Sequence, residues 1–311
     1  GDLTLNNITL CNGNAINGGA INVGSKGNLT ATNSKFIDNK AKSKGGAIYA
    51  AGSLKLIDAC DFINNNATTN SNGGAIYIKD SGTILNSYFE NNTATTTGGA
   101  IYSGDASNIE SCVFVGNDAN NGAAITMAGT GGNIAKCNFT GDKSLYLTGT
   151  VTLEDNTELS EEVIDGYSVY LIKFSNVTLN NNNFNSKIYN NNGTISSEVI
   201  ATILDGTTYE TTGYSYVLNA TLTDVNGNNI YDPYLMFKVN DDTPVAFTSY
   251  EEGVYFYDAY SIAFEPEYVV DVTSTNEEIL TTNVGIIKNL KYGTYTYLQS
   301  LIDAAIENGV S

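Results

Sequence analysis

The side chains able to do chemistry are of few kinds. The 311 residues include no His, no Trp and no Arg; all 14 basic residues are Lys, set against 33 acidic ones for a net charge of -19. Acid–base or nucleophilic catalysis would fall to carboxylates, Lys, Tyr or Cys. Asp58, Asp61, Glu90 and Glu110 stand near a recurring Phe but in different registers, so they predict no convergent carboxylate pair. Glu154, Asp155, Glu158, Glu161, Glu162 and Asp165 cluster in a loop-like run that reads as solvated surface. Cys11, Cys60, Cys112 and Cys137 lack the C-x-x-C pairs of a zinc site. Asp224-Val-Asn-Gly-Asn-Asn229 resembles the start of a calcium loop but lacks its sixth-position Gly and final Glu, and reads as a hairpin turn. Lys238 lies between Phe237 and Val239, and strand alternation points it to solvent rather than to a buried covalent bond. No catalytic, metal-binding or cofactor-binding set emerges.

The most suggestive set is aromatic. Tyr49, Tyr77 and Tyr102 each follow the Ile of a recurring tetrad and predict an outward strip, either a surface for a glycan or partner or a purely structural ladder. A second group, Tyr250, Tyr255, Phe256, Tyr257 and Tyr260, must supply some core of its own.

The elements that position these residues follow from self-similarity. Gly-Gly-Ala-Ile recurs at Gly18–Ile21, Gly45–Ile48, Gly73–Ile76 and Gly98–Ile101, with a decayed copy at Gly122–Ile125. Phe-x-x-Asn recurs in phase at Phe36/Asn39, Phe62/Asn65, Phe89/Asn92 and Phe114/Asn117, and Phe139 continues it. Two marks at a period of 24 to 28 residues, with short β-type runs and no amphipathic helix, predict a parallel β-helix. Aligned on Phe, Ala31, Ile57, Ile84, Ile109 and Ile134 form one inward column; Ser34, Cys60, Ser87, Cys112 and Cys137 form another. Cys112 and Cys137 fall on adjacent coils, where a disulfide is conceivable, but interchange with Ser favours small buried side chains. Asn at the bends is expected both to form a ladder and to take left-handed backbone angles. Residues 140–198 read as further irregular coils, for seven or eight in all.

From about Glu198 the pattern becomes alternating strands with frequent turn signals, predicting a β-sandwich. The expected strands are Val199–Leu204, Tyr214–Thr223, Tyr234–Val239, Val245–Thr248, Val254–Ala259, Tyr268–Ser274 and Ile279–Ile286. Tyr297–Glu307 reads as an amphipathic helix with Leu298, Leu301, Ile302 and Ile306 on one face, suited to cap a β-helix end. The expected organisation is all-β: a parallel β-helix over 1–198, an immunoglobulin-like sandwich over 199–287, and a linker with capping helix over 288–311.

The alternating Phe-x-x-Asn and Gly-Gly-Ala-Ile marks resemble the repeats of chlamydial polymorphic outer-membrane proteins, which are β-helical adhesins. The fuller pattern is similar to adhesin-like surface proteins of methanogenic archaea, in which such coils join an immunoglobulin-like module matching NATLTDVNGNNI. Those families begin a further β-helix with a phrase like YGTYTYLQSLIDAAIENG. The resemblance implies a right-handed coil, an extracellular cell-surface location and an anaerobic source compatible with free thiols. The chain begins inside a coil, without the helical cap of a complete unit.

Three functions compete. A non-catalytic adhesin or stalk segment would bind a glycan or protein on another cell. A fibre subunit would bind copies of itself head-to-tail, its C-terminal helix against the open first coil. A polysaccharide lyase or hydrolase is the minor alternative, weakened by the missing Arg and His and the sparse carboxylates. The acidic charge argues against nucleic acid and anionic lipid, and no stretch of 18 apolar residues predicts membrane insertion. Eight N-x-S/T sequons, at Asn7, Asn28, Asn66, Asn91, Asn138, Asn176, Asn192 and Asn219, permit glycosylation of a secreted chain.

Overall fold

Short strands with one apolar face cannot bury it alone, and the repeats solve this by stacking in parallel. The computed structural model describes residues 1–141, 143–158, 167–184, 186–196, 199–203, 215–240, 242–261, 267–275, 279–283 and 285–288. The chain divides into two units, Gly1–Ser197 with Asp224–Asp232, and Glu198–Thr223 with Pro233–Ser311.

The first unit is a parallel β-solenoid of four sheets with nine, seven, four and nine strands. Its second coil shows the plan: Asn28–Thr32, Lys35–Ile37, Lys40–Lys44 and Ile48–Ala50 each join a different sheet. Successive coils pair in register, so identical repeat positions become columns. Phe36, Phe62, Phe89, Phe114 and Phe139 stack with ring centroids 4.7–5.2 Å apart and planes within 3–11°. All five are essentially fully buried, and each contributes roughly 2–3 kcal/mol of burial. The column Ala31, Ile57, Ile84, Ile109, Ile134 continues through Leu153 and Leu179.

The corners divide the work expected of Asn between neighbouring residues. Left-handed angles fall three residues before each Phe, at Asn33, Ala59, Asn86, Ser111 and Lys136, and two after, at Asp38, Asn64, Asn91, Gly116 and Gly141. The Asn of Phe-x-x-Asn is instead the ladder. Asn65 accepts at Oδ1 from the backbone and side-chain nitrogens of Asn39, at 3.1 and 3.0 Å, and donates to the carbonyl of Phe36 at 2.9 Å. Asn92 repeats this toward Asn65, so the buried amides complete one another's hydrogen bonds.

The tetrad glycines have distinct reasons. Gly45 has φ +61°, while a Cβ on Gly46 would lie 2.0 Å from the carbonyl oxygen of Gly74 in the next coil. The Ser/Cys column also has a defined role. Ser34, Ser87, Cys60, Cys112 and Cys137 each donate to the carbonyl two residues earlier, bridging a left-handed corner. All four cysteines are free, and burial pushes the thiols of Cys60 and Cys137 upward in pKa.

Residues beyond 140 continue the sheets, as the irregular coils require, with one surprise. Glu158 occupies the Phe column opposite Phe139 and is 4% exposed, not solvated surface. Its carboxylate accepts from Ser168 Oγ and the backbone N–H of Ser186, partners that a hydrophobicity pattern does not reveal.

The segment read as a hairpin turn is also part of the solenoid. Asp224 accepts from the N–H groups of Asn226 and Asn228, as a turn residue would. Beyond that turn, Asn228 donates to the carbonyl of Asn182 and accepts from the N–H of Phe184, and Ile230–Tyr231 pairs in parallel with Ile188 and Tyr189. Nine residues flanked in sequence by second-unit strands thus add a rung to the first.

The second unit has a five-stranded and a four-stranded sheet. The first is ordered Ser249–Glu251, Val254–Ser261, Ser215–Asp224, Val199–Ile203, Ile279–Asn283; the second Val245–Ala246, Leu235–Val239, Glu267–Ser274, Gly285–Lys288. Leu218, Ala220 and Leu222 are buried on one sheet, and Leu235, Phe237 and Val239 on the other, with exposed Lys238 between the latter two. Tyr255, like Phe237, is fully buried, with Phe247 and Tyr250 edge-on at 4.9 and 4.7 Å. Among the described residues, the strand expected over 279–286 is two strands, Ile279–Asn283 in one sheet and Gly285–Lys288 in the other. The helix expected over 297–307, with Leu298, Leu301, Ile302 and Ile306, lies outside the described residues.

Candidate functional site

In the sheet that carries the tetrad strands, the middle residue of each rung faces outward between two buried, inward ones. Ile48-Tyr49-Ala50 pairs with Ile76-Tyr77-Ile78, which pairs with Ile101-Tyr102-Ser103. The structure therefore brings Tyr49, Tyr77 and Tyr102 together, with ring centroids 5.4 and 4.9 Å apart and planes at 19° and 6°.

The column does not end there. Thr126 interrupts it, after which Tyr146, Tyr170, Tyr189 and Tyr231 continue it in register, so seven of nine rungs carry Tyr. Tyr146–Tyr170 and Tyr170–Tyr189 stack at 5.5 and 4.7 Å, and Tyr231 lies 4.8 Å from Tyr189 at 40°. The last four lack Gly-Gly, which is why the tetrad did not find them. Their signal was the residue before each: Leu145, Val169, Ile188 and Ile230 place Tyr as Ile does in the complete tetrads.

Stacking determines what the column can offer. Ring faces are turned to one another, leaving edges and hydroxyls outward. Tyr77 is only 8% exposed, and Tyr49, Tyr102, Tyr146, Tyr170 and Tyr189 are half-buried. Lys44 sits 4.5 Å from the Tyr77 ring centre and donates to its hydroxyl at 3.3 Å, and Lys187 is 5.4 Å from the Tyr231 ring centre. Asn191 donates to the Tyr170 hydroxyl at 3.0 Å. Tyr167 crosses beside the column, 4.9 Å from Tyr170, with its hydroxyl toward Asn121.

Burial raises the phenol pKa of Tyr102, Tyr146 and Tyr231. It pushes Tyr167 up to about 12, helped by Tyr170 and Tyr146. These hydroxyls are neutral donors and acceptors at ordinary pH. The arrangement leaves hydroxyls and ring edges, rather than ring faces, at the surface of this sheet.

The carboxylates are placed differently from the sequence expectation in one respect. Asp58 and Glu110 occupy one column, separated by Leu85. Both are engaged: Asp58 accepts from Asn86, and Glu110 pairs with Lys136 at 2.9 Å. Asp61 pairs with Lys35 at 2.7 Å on the neighbouring sheet. Among the described residues no three His, Cys, Asp or Glu side chains come together as a metal site would require.

Residues 33–51 and 86–104 match the Chlamydia polymorphic membrane protein repeat. No curated protein and no solved structure gave a match. Both matched segments run from the corner before Phe through the tetrad to the outward Tyr or just beyond, so the repeats, stacked as a solenoid, are similar to those of a surface-protein family.

Proposed function

We propose that the chain is a non-catalytic extracellular adhesin or stalk segment that presents its outward tyrosine column to a glycan or protein on another cell. The observation that carries this reading is the column itself. Seven tyrosines align outward in one column, and two of them, Tyr49 and Tyr102, lie within the segments that match the repeat of a surface-protein family. The two alternating sheets of the second unit suit an immunoglobulin-like module serving as a spacer, and the repeats, taken with that module, suit an archaeal surface protein.

The test is binding of purified, labelled chain to intact cells and to immobilised glycans, with Tyr102→Ala and Tyr170→Ala compared against the parent. Loss of adhesion with retained thermal stability supports the reading. Undiminished adhesion by both variants removes the column, and hydrolysis or elimination of any glycan in the panel removes the non-catalytic assignment.

A second reading is a head-to-tail fibre, favoured by the apolar face that the sequence places on residues 297–307. In this version Leu298, Leu301, Ile302 and Ile306 of one copy cover the first coil of the next. Negative-stain microscopy across a concentration series separates the two: single particles for the adhesin, filaments with an axial repeat near one molecule for the fibre.

A further inference from the structure

A different sheet of the solenoid contains a notch whose origin can be followed from strand lengths. Gly82–Leu85 and Asn108–Glu110 are short rungs of four and three residues, between Ser53–Asp58 and Thr130–Ala135 of six each. The longer rungs carry bulges. Lys55 is the extra residue against Asn28–Thr32, where Leu54 and Leu56 pair with the adjacent Leu29 and Thr30, and on the other side Lys55 and Leu56 together oppose Thr83. Gly131, at φ +87°, is the extra residue between Thr130 and Gly132. Two recessed rungs between two bulged ones leave a cleft of about 460 Å³ over buried Leu54. That volume falls in the roughly 300–1,000 Å³ range of small-ligand sites.

The lining is rich in uncommitted hydrogen-bonding groups. Ser53, Ser81 and Thr83 offer hydroxyls with no partner among the described residues. Asn133 donates to Asn108 at 2.9 Å, and the amide N–H groups of Asn108 and the side-chain carbonyl oxygen of Asn133 have no partner among the described residues. Ser107 is already used, accepting from the N–H of Gly82 and bonding Ser103, so it holds the floor in place. Lys55 is exposed and forms no ion pair among the described residues. Its carboxylate neighbour is Asp2, whose pKa is lowered first by the hydrogen bond from Asn28 and then by Lys55.

We propose that this notch is a second binding site, for a short neutral glycan held by its hydroxyls. A sugar hydroxyl both donates and accepts, and the notch offers both kinds of group across adjacent rungs. The net charge of -19 disfavours an acidic glycan, so Lys55 serves as a donor to hydroxyl or ring oxygens. The notch lies on a different sheet from the tyrosine column and supplies the ring-sized concavity that stacked tyrosines lack. The proposal deepens the adhesin reading and rests on it for biological purpose.

The experiment is saturation-transfer and chemical-shift NMR of the full chain with maltotriose, cellotriose and N,N′-diacetylchitobiose as separate probes. Binding of at least one, with shifts centred on Lys55, Thr83, Asn108 and Asn133, is expected. Ala106→Tyr, which fills the notch, should weaken that binding at least tenfold, whereas Thr178→Tyr, elsewhere on the sheet, should leave it unchanged. Lys55→Gln supplies a milder variant that keeps the fold, with an expected loss of several-fold. No binding by any probe, shifts centred on the tyrosines, or full binding by Ala106→Tyr would overturn the proposal. Cell adhesion by Ala106→Tyr at the parent level, with no glycan in the notch, would remove the notch while leaving the adhesin reading intact.

Discussion

The solenoid carries two aromatic columns, phenylalanine inside and tyrosine outside, and their stacking distances nearly coincide. The Phe rings lie 4.7–5.2 Å apart, and the stacked Tyr rings 4.7–5.5 Å. Distance therefore does not distinguish structural stacking from functional stacking, because the rung spacing of the sheets imposes it on both. Their surroundings differ. Each Phe is sealed against other coil walls, whereas most of the Tyr rings keep an edge in solvent. Removing a Phe opens a cavity that the stacked backbone cannot collapse to fill. Removing a Tyr leaves a gap that water enters.

That contrast yields ordered predictions. Phe89→Ala should cost about 3–5 kcal/mol in urea unfolding, the largest effect here, because both neighbouring rings lose a partner and a dry cavity remains. Asn92→Ala should cost about 2–3 kcal/mol, since the backbone and side-chain donors of Asn65 and the carbonyl of Phe62 lose their partner. Tyr102→Ala should cost about 0.5–1.5 kcal/mol, a partly exposed stacking contact. If it costs as much as Phe89→Ala, the outer column is structural and the comparison fails.

Alkaline titration sharpens the same contrast. A raised phenol pKa means that the folded chain keeps a proton which the unfolded chain releases near pH 10. The contribution of Tyr167 to stability is therefore complete below about pH 10 and lost as pH rises toward about 12. Tyr167→Phe should flatten that part of the stability curve, with phenolate absorbance as the direct readout.

Much of this fold was legible because repetition turns weak local signals into aligned columns. The tetrad and Phe-x-x-Asn marks located the strands, the inward columns and Tyr49, Tyr77 and Tyr102. Features without a repeating mark were harder to see. Tyr146, Tyr170, Tyr189 and Tyr231 stand where the glycines have gone, and Glu158 replaces a Phe with a carboxylate whose partners come from Ser168 and Ser186. The last rung, Ile230–Tyr231, arrives from more than 30 residues downstream, a non-local pairing that no local pattern encodes. The notch depends on strand ends and bulges, the details least fixed by hydrophobic periodicity.

The left-handed corners have a consequence for divergence. The two in each repeat stay five residues apart, from Asn33 and Asp38 through Lys136 and Gly141, while the tetrads recur at intervals between 24 and 28 residues. Insertions and deletions are therefore absorbed outside the corner pair, where the chain turns over the surface and the bulged rungs form their notch. A lineage can rewrite that exposed flank repeat by repeat while the corner pair keeps every inward column in phase. Such a molecule can change what it meets without relearning how to fold.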